Sequence, residues 1–305
     1  MSSSVSTADI SPAASDPAAA DAAEPAPVDG WRSGDLPALR AELDRIDDAL
    51  HDLLMQRAGI VEYVARSAKP AAFRPGREAS IIRRLLGRHH GALPSAAVVR
   101  IWRELLAGTT AMQGGFSLSV CDGDQAAQLT QLAREHFGAL TPLRARATAD
   151  EALQDVSQRT ASVAVLPYPS ATETWWLALL HRQSPAHIIG RLPFWAPRPD
   201  GAPSGQALVV AATPADASGA DRSFVGLQCD DDLTPAGLSS AMSKAGLAQR
   251  SMLVLRRPGS PIADVLVEVE GYLGDDDPRL THLRPLPRHP IVLGCYALPV
   301  GTPVR

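Results

Sequence analysis

Arg57 interrupts the apolar seam of a long helical stretch. From Leu39 the seam runs through Leu43, Ile46, Leu50 and Leu53, meets Arg57, and continues through Ile60 and Val64. Steps of three and four residues mark one face of a helix packed against other helices. A guanidinium there is always charged and costly to bury unless an anion meets it. That anion is either an internal acid such as Glu78 or a ligand. Thr109 takes a stripe position where an aliphatic residue is expected, and Gln113 lies one turn further on nearly the same face. Arg40, Lys69 and Arg77 add positive charge, although each alone reads as a solvated surface group. Together these residues suit a small polyanion in a wet, cationic pocket.

Three helices must position them. The first, from Leu36 to about Ala68, would be roughly 50 Å long at 1.5 Å per residue. So long an apolar seam needs a partner along its whole length, and a second copy of the chain is the expected one. A second helix runs from about Gly76 to His90 with Ile81, Ile82, Leu85 and Leu86 on one side and Gly91 as its stop. A third starts near Ser95, read as its N-cap, and carries Val98, Trp102, Leu105, Thr109 and Met112 as its stripe before Gly114 and Gly115.

Beyond Gly115 the pattern changes. FSLSV, LRARA, ASVAVLP, HIIGRL and ALVVAA read as short strands with helical stretches between several of them, which predicts an α/β domain. From Asp221 the order is strand, helix, strand, strand, short helix, strand, a split βαβ, ferredoxin-like unit. The expected organisation is a polar tail at 1–33, a helical domain at 34–115, an α/β domain at 116–215 and an α+β domain at 216–305. The tail has too few large apolar side chains to offset its ordering entropy and is expected to be disordered.

Composition excludes several classes. A formal charge of -4 gives no global field that would attract nucleic acid. No apolar run approaches the roughly 20 residues needed to span a membrane. No basic residue precedes Arg32 and no apolar h-region is present, so no secretory signal is expected. Cys121, Cys229 and Cys295 are far apart, with no metal-type spacing, and fit a reducing cytoplasm. His89 and His90 point about 100° apart on a helix and read as surface residues.

The stretch LPALRAELDRIDDALHDLLMQRAGIVEYV, with RPGREASIIRRL and RIWRELLAGTTAMQ, resembles the all-helical (AroQ-class) chorismate mutase family over about residues 36–115. The resemblance implies an intertwined homodimer with shared active sites. Arg40 would reach the partner's site, and Arg57 would bind a carboxylate of chorismate in its own. Arg77 and Glu78 would hold the ring side, with Glu78 on the hydroxyl. Thr109 stands where the family usually has Ser, and Gln113 would contact the ether oxygen. Chorismate to prephenate is a [3,3] rearrangement that needs no metal, cofactor or nucleophile. It is helped by holding the reactive conformer and stabilising charge on the ether oxygen. The family lysine at the end of the first helix falls on Ala68, with Lys69 one residue later before Pro70. Pro70 disfavours helix at Lys69, so a loosened last turn could return its ammonium to the site. The alternative is a helix-terminal charge that complements the dipole.

AVLPYPSATETW resembles one lobe of a prephenate dehydratase domain. The family's Glu-Asn-Ser segment reads Pro169-Ser170 here, and its Thr-Arg-Phe motif has only Arg222-Ser223-Phe224 as a candidate. No dehydratase activity is expected. VEVEGYL and VLGCYALP resemble the ACT regulatory domains fused to such enzymes, where the loop before the first helix and a segment after the second strand bind phenylalanine; here those segments read Thr234–Leu238 and Arg256–Pro258 and match only partly. An aromatic amino-acid effector and a purely structural role both stay open. Three functions compete: a mutase with a degenerate C-terminal half, a bifunctional mutase–dehydratase, and a non-catalytic metabolite-sensing or docking protein.

Overall fold

The computed structural model describes residues 35–67, 73–121, 123, 126–198, 200–230, 233–283, 286 and 289–301. The tail expected at 1–33, together with Ala68 and Lys69, lies outside them. The chain divides into a first unit, residues 1–57, and a second, residues 58–305. In the first unit the described residues are the leading part of α1 (Leu36–Ser67), close to the expected helix. Its seam is open in the single chain: Leu43 is 60% and Leu53 62% exposed. Arg57 is partly buried and Arg40 exposed.

The second unit continues with α2 (Pro75–Arg88) and α3 (Ser95–Ala111). Asp216, far along the chain, closes the start of α2. Its carboxylate accepts from the Gly76 N–H at 3.0 Å and from Arg74 at 3.1 Å. A Cβ on Gly76 would come within 2.2 Å of the Asp216 carbonyl oxygen, so only glycine allows this approach. Ser95 is the first helical residue of α3 and Pro94 its cap, which corrects the N-cap expected at Ser95. The buried row of α3 is Val99, Arg103, Leu106 and Thr110, with Thr109 beside it, whereas Met112 is exposed. The expected stripe was thus one position off, because Arg103 made the deeper row look polar. Ala79, Ile82, Val99 and Leu106 pack with Phe194 and Ala297 from the sheet region.

The remaining elements are β1 (Leu118–Cys121), α4 (Ala126–Phe137), β2 (Leu143–Arg146), α5 (Ala149–Ser157), β3 (Val163–Pro167), α6 (Trp176–Leu180), β4 (His187–Leu192) and β5 (Ala207–Ala211). There follow β6 (Asp221–Asp230), α7 (Pro235–Lys244), β7 (Gln249–Arg256), β8 (Ile262–Glu270), α8 (Pro278–Thr281) and β9 (Ile291–Ala297). The strands join one sheet in the order β2-β1-β3-β5-β4-β9-β6-β8-β7. The last four strands, all antiparallel, have the order of a split βαβ unit, as the sequence implied. β4 and β9 meet in parallel at one register pair, Ile188 and Gly294. Gly294 has φ +131°, and a Cβ there would lie 2.1 Å from the Ile188 carbonyl oxygen. Among the described residues no helix is long and apolar enough to cross a membrane.

Asp155 on α5 locks the first edge of the sheet. It accepts from Ser119 on β1 at 2.7 Å and from two nitrogens of Arg146 on β2, each at 2.7 Å. Arg146, then Ser119 and Thr160, hold its carboxyl well below the usual carboxylate range. A depressed folded pKa stabilises the fold above the unfolded value of about 3.9 and loses that contribution as pH falls below it. Asp155→Asn is expected to lower unfolding free energy by about 2 kcal/mol at neutral pH. The variant should also flatten the acid limb of stability against pH below about 4. Urea titrations across pH check both outcomes.

Candidate functional site

Glu78 sits in the first turn of α2, where a carboxylate complements the helix dipole, and faces α3. Arg103 on α3 meets it: Nη1 donates to Glu78 Oε2 at 3.0 Å, with the side chains 5% and 11% exposed. The Arg103 guanidinium also lies 4.3 Å from the Phe194 ring centroid, a cation–π contact. Burial pulls the Arg103 pKa down to about 10, against the opposing pull of Glu78. It still carries its charge at neutral pH. Burial and the same guanidinium push His136 well below its ordinary value, so His136 stays neutral. Arg103 Nε is buried without a hydrogen-bond partner.

Arg103 is the buried charged residue that the sequence reading missed. Its signal was present: it stands four residues after Val99 and three before Leu106, the same intrusion into an apolar row that singled out Arg57. The internal acid considered for Arg57, Glu78, is bound by Arg103.

Thr109 and Gln113 lie together on α3. The Thr109 hydroxyl bonds the carbonyls of Leu105 at 3.0 Å and Leu106 at 3.1 Å, and Gln113 Nε2 donates to the Thr109 carbonyl at 3.2 Å. Thr109 is buried and Gln113 partly so, while Arg77, beside Glu78, is exposed. Arg40 and Arg57 belong to the first unit, and Arg77, Glu78, Thr109 and Gln113 to the second. Lys69 is outside the described residues.

In the other half, Arg222-Ser223-Phe224 falls within β6. Ser223 is fully buried and donates to the Gly271 carbonyl at 2.8 Å, which makes it a structural side chain. Thr234 caps α7 by accepting from the Gly237 N–H at 3.1 Å. Arg256 donates to the Leu233 carbonyl at 3.4 Å, so the two segments considered for an effector adjoin.

A buried pair is most costly when only one partner is removed. Arg103→Leu, which removes the buried guanidinium facing the Glu78 carboxylate, is expected to lower unfolding free energy by about 3–5 kcal/mol. Adding Glu78→Gln should recover part of that loss. Urea denaturation of the single and double variants measures the coupling, and additive effects would show that the pair contributes nothing.

Residues 39–114 match the family model of chorismate mutase type II. Two curated relatives are bifunctional chorismate mutase/prephenate dehydratases. The one from Pseudomonas aeruginosa is 27% identical over 146 residues, 45% of this chain and 40% of that protein. The one from Neisseria gonorrhoeae is 30% identical over 135 residues, 44% of this chain and 37% of that protein. The chain thus spans about two fifths of the length of the curated relatives it matches. A solved prephenate dehydratase from Arthrobacter aurescens, in complex with L-Phe, aligns with a TM-score of 0.46 at 13% identity, over 62% of this chain and 92% of that one. The match to chorismate mutase type II is confined to residues 39–114, which precede the nine-stranded sheet.

Proposed function

We propose that this protein is a chorismate mutase, an isomerase that converts chorismate to prephenate in aromatic amino-acid biosynthesis. The observation that carries the reading is the match of residues 39–114 to chorismate mutase type II, over the stretch that holds Arg40, Arg57, Glu78, Thr109 and Gln113. The rearrangement breaks one C–O bond and forms one C–C bond within a single molecule, so positioning and charge stabilisation do the chemistry. In this reading Arg57 and the partner's copy of Arg40 bind the two carboxylates, which selects the diaxial conformer. Arg77 lies on the ring side, and Glu78 accepts from the substrate hydroxyl. Its bond to Arg103 orients it for that role. Gln113 donates to the ether oxygen, Thr109 supports it, and Lys69 adds the cation that stabilises the charge developing there.

The assembly proposed is a homodimer. The open apolar seam of α1, with Leu43, Leu50 and Leu53 exposed in the single chain, supports a second copy as its cover. Residues 34–115, 116–215 and 216–305 are taken as mutase, α/β and ACT-type segments, in a cytoplasmic protein. An aromatic amino acid is the effector considered for the adjoining segments around Thr234 and Arg256. A second reading, mutase with dehydratase activity, is favoured by the names of the relatives. It is opposed by the burial of Ser223 and Phe224.

Purified full-length protein is expected to consume chorismate saturably and yield prephenate without phenylpyruvate. Arg57→Ala should lower kcat/KM by about 10²-fold or more. An unchanged rate would remove Arg57 from the site. Mixed dimers of Arg40→Ala and Arg57→Ala chains are expected to regain turnover that neither variant has alone. Failure of that complementation would rule out shared sites.

A further inference from the structure

A cavity of about 590 Å³ opens between the segment after β4 and the adjacent ends of β6 and β9. Four guanidiniums line it: Arg83 from α2, Arg191 from β4, Arg198 from the segment after β4, and Arg222 from β6. None of the described lining residues is acidic. We propose that this cavity binds a small organic dianion, a dicarboxylate with an apolar body, at a site distinct from the mutase residues.

The charge around the cavity is incompletely matched. Arg83 directs its hydrogen bonds to neutral oxygens: the carbonyls of Ser218, Ala220 and Leu298 and the Ser218 hydroxyl. Asp221, which acts on it electrostatically, is turned towards the N–H groups of Ser218 and Gly219. Arg191 donates to the Tyr296 hydroxyl and to Gln206 Oε1, each at 3.0 Å, with Glu268 at 3.6 Å. Arg222 shares that same Glu268, at 3.8 Å, and shares Glu270 with Arg250. Glu268 also accepts from Tyr296. Arg198 pairs with Glu135 at 2.8 Å, and its Nε is buried with no partner. The carboxylates are therefore shared and stand behind the arginines, while the cavity wall presents positive charge and a guanidinium has five donors to offer.

Such a wall in a low-dielectric cleft concentrates anions. The volume lies within the range of roughly 300–1,000 Å³ typical of small-molecule sites and exceeds what an inorganic ion would fill. Pro193, Leu298 and Val300 give the cavity apolar walls, which suit a hydrocarbon body. The guanidiniums come from four different elements, which favours a ligand with more than one carboxylate. One ligand here would tie together α2, the α/β strands and the split βαβ unit.

The test is titration calorimetry of the full-length protein with phenylsuccinate, succinate and inorganic phosphate. Arg57→Ala serves as the background, so that binding at the mutase residues does not contribute. Phenylsuccinate is expected to bind at one site per chain in that background, more tightly than succinate or phosphate, and to weaken as salt rises. Arg198→Gln should weaken it by at least about tenfold. Gln206→Glu, which places an acid on the wall, should do the same if Arg198→Gln proves unstable in thermal melts. Absence of binding, or affinity unchanged by both substitutions, overturns the proposal. Phosphate binding as tightly as phenylsuccinate overturns the organic ligand class. Because the Arg57→Ala rate is read separately, a failed mutase reading leaves this result intact.

Discussion

The Glu78–Arg103 pair is the constraint around which the second unit is arranged. Two opposite charges removed from water are tolerable only with good geometry and further contacts for the exposed faces of each group. Here α2 supplies the carboxylate, α3 the guanidinium, and the segment after β4 the aromatic ring of Phe194 beneath it. The pair therefore fixes three elements relative to one another. Ala79, Ile82, Val99 and Leu106 fill in around it as the apolar cluster between the helices and the sheet. Its cost in desolvation is visible in Arg103 and in its neighbour His136, both pulled away from their charged forms.

Away from that pair, the structure separates a buried half from an open one. The sheet is covered by fully buried Trp176, Leu166, Ile188 and Leu208 on one side and by Leu118, Leu129, Leu132 and Leu192 on the other. The split βαβ unit has its own core around Leu227, Met242 and Val267. By contrast α1 carries an apolar row that the single chain leaves in water. Stability in this molecule is thus internal for the strands and, for the long helix, dependent on what covers it.

Much of this was legible in the sequence, for identifiable reasons. Strands such as Val163–Pro167 and Ala207–Ala211 are short apolar runs bounded by turn residues, and the split βαβ order follows from strand and helix patterns alone. The limits of α1 and α3 follow from periodicity and from the Gly114-Gly115 stop. What escaped were partnerships across long sequence separations. Arg103 escaped because a charged helix residue reads as part of a solvated face until its partner Glu78 is seen. Asp155 reads as a helix-surface acid, yet it clamps β1 and β2. The arginines at 83, 191, 198 and 222 are far apart in sequence and become a cluster only when the sheet forms. The joining of the α/β strands to the split βαβ unit through Ile188 and Gly294 had no local signal either.

The contact between Asp216 and the start of α2 shows how far the helices and the sheet depend on each other. The helix that carries Arg77 and Glu78 takes its terminal acceptor from the connection between the α/β strands and the split βαβ unit. Gly76 offers only bare backbone there, which admits it. A helical segment and a sheet that merely shared a chain would have no use for that arrangement. Here the two parts are mutually adapted: a fragment ending at Gly115 would keep a helix start shaped for an acceptor it no longer contains. Helix and sheet are here interdependent rather than merely linked.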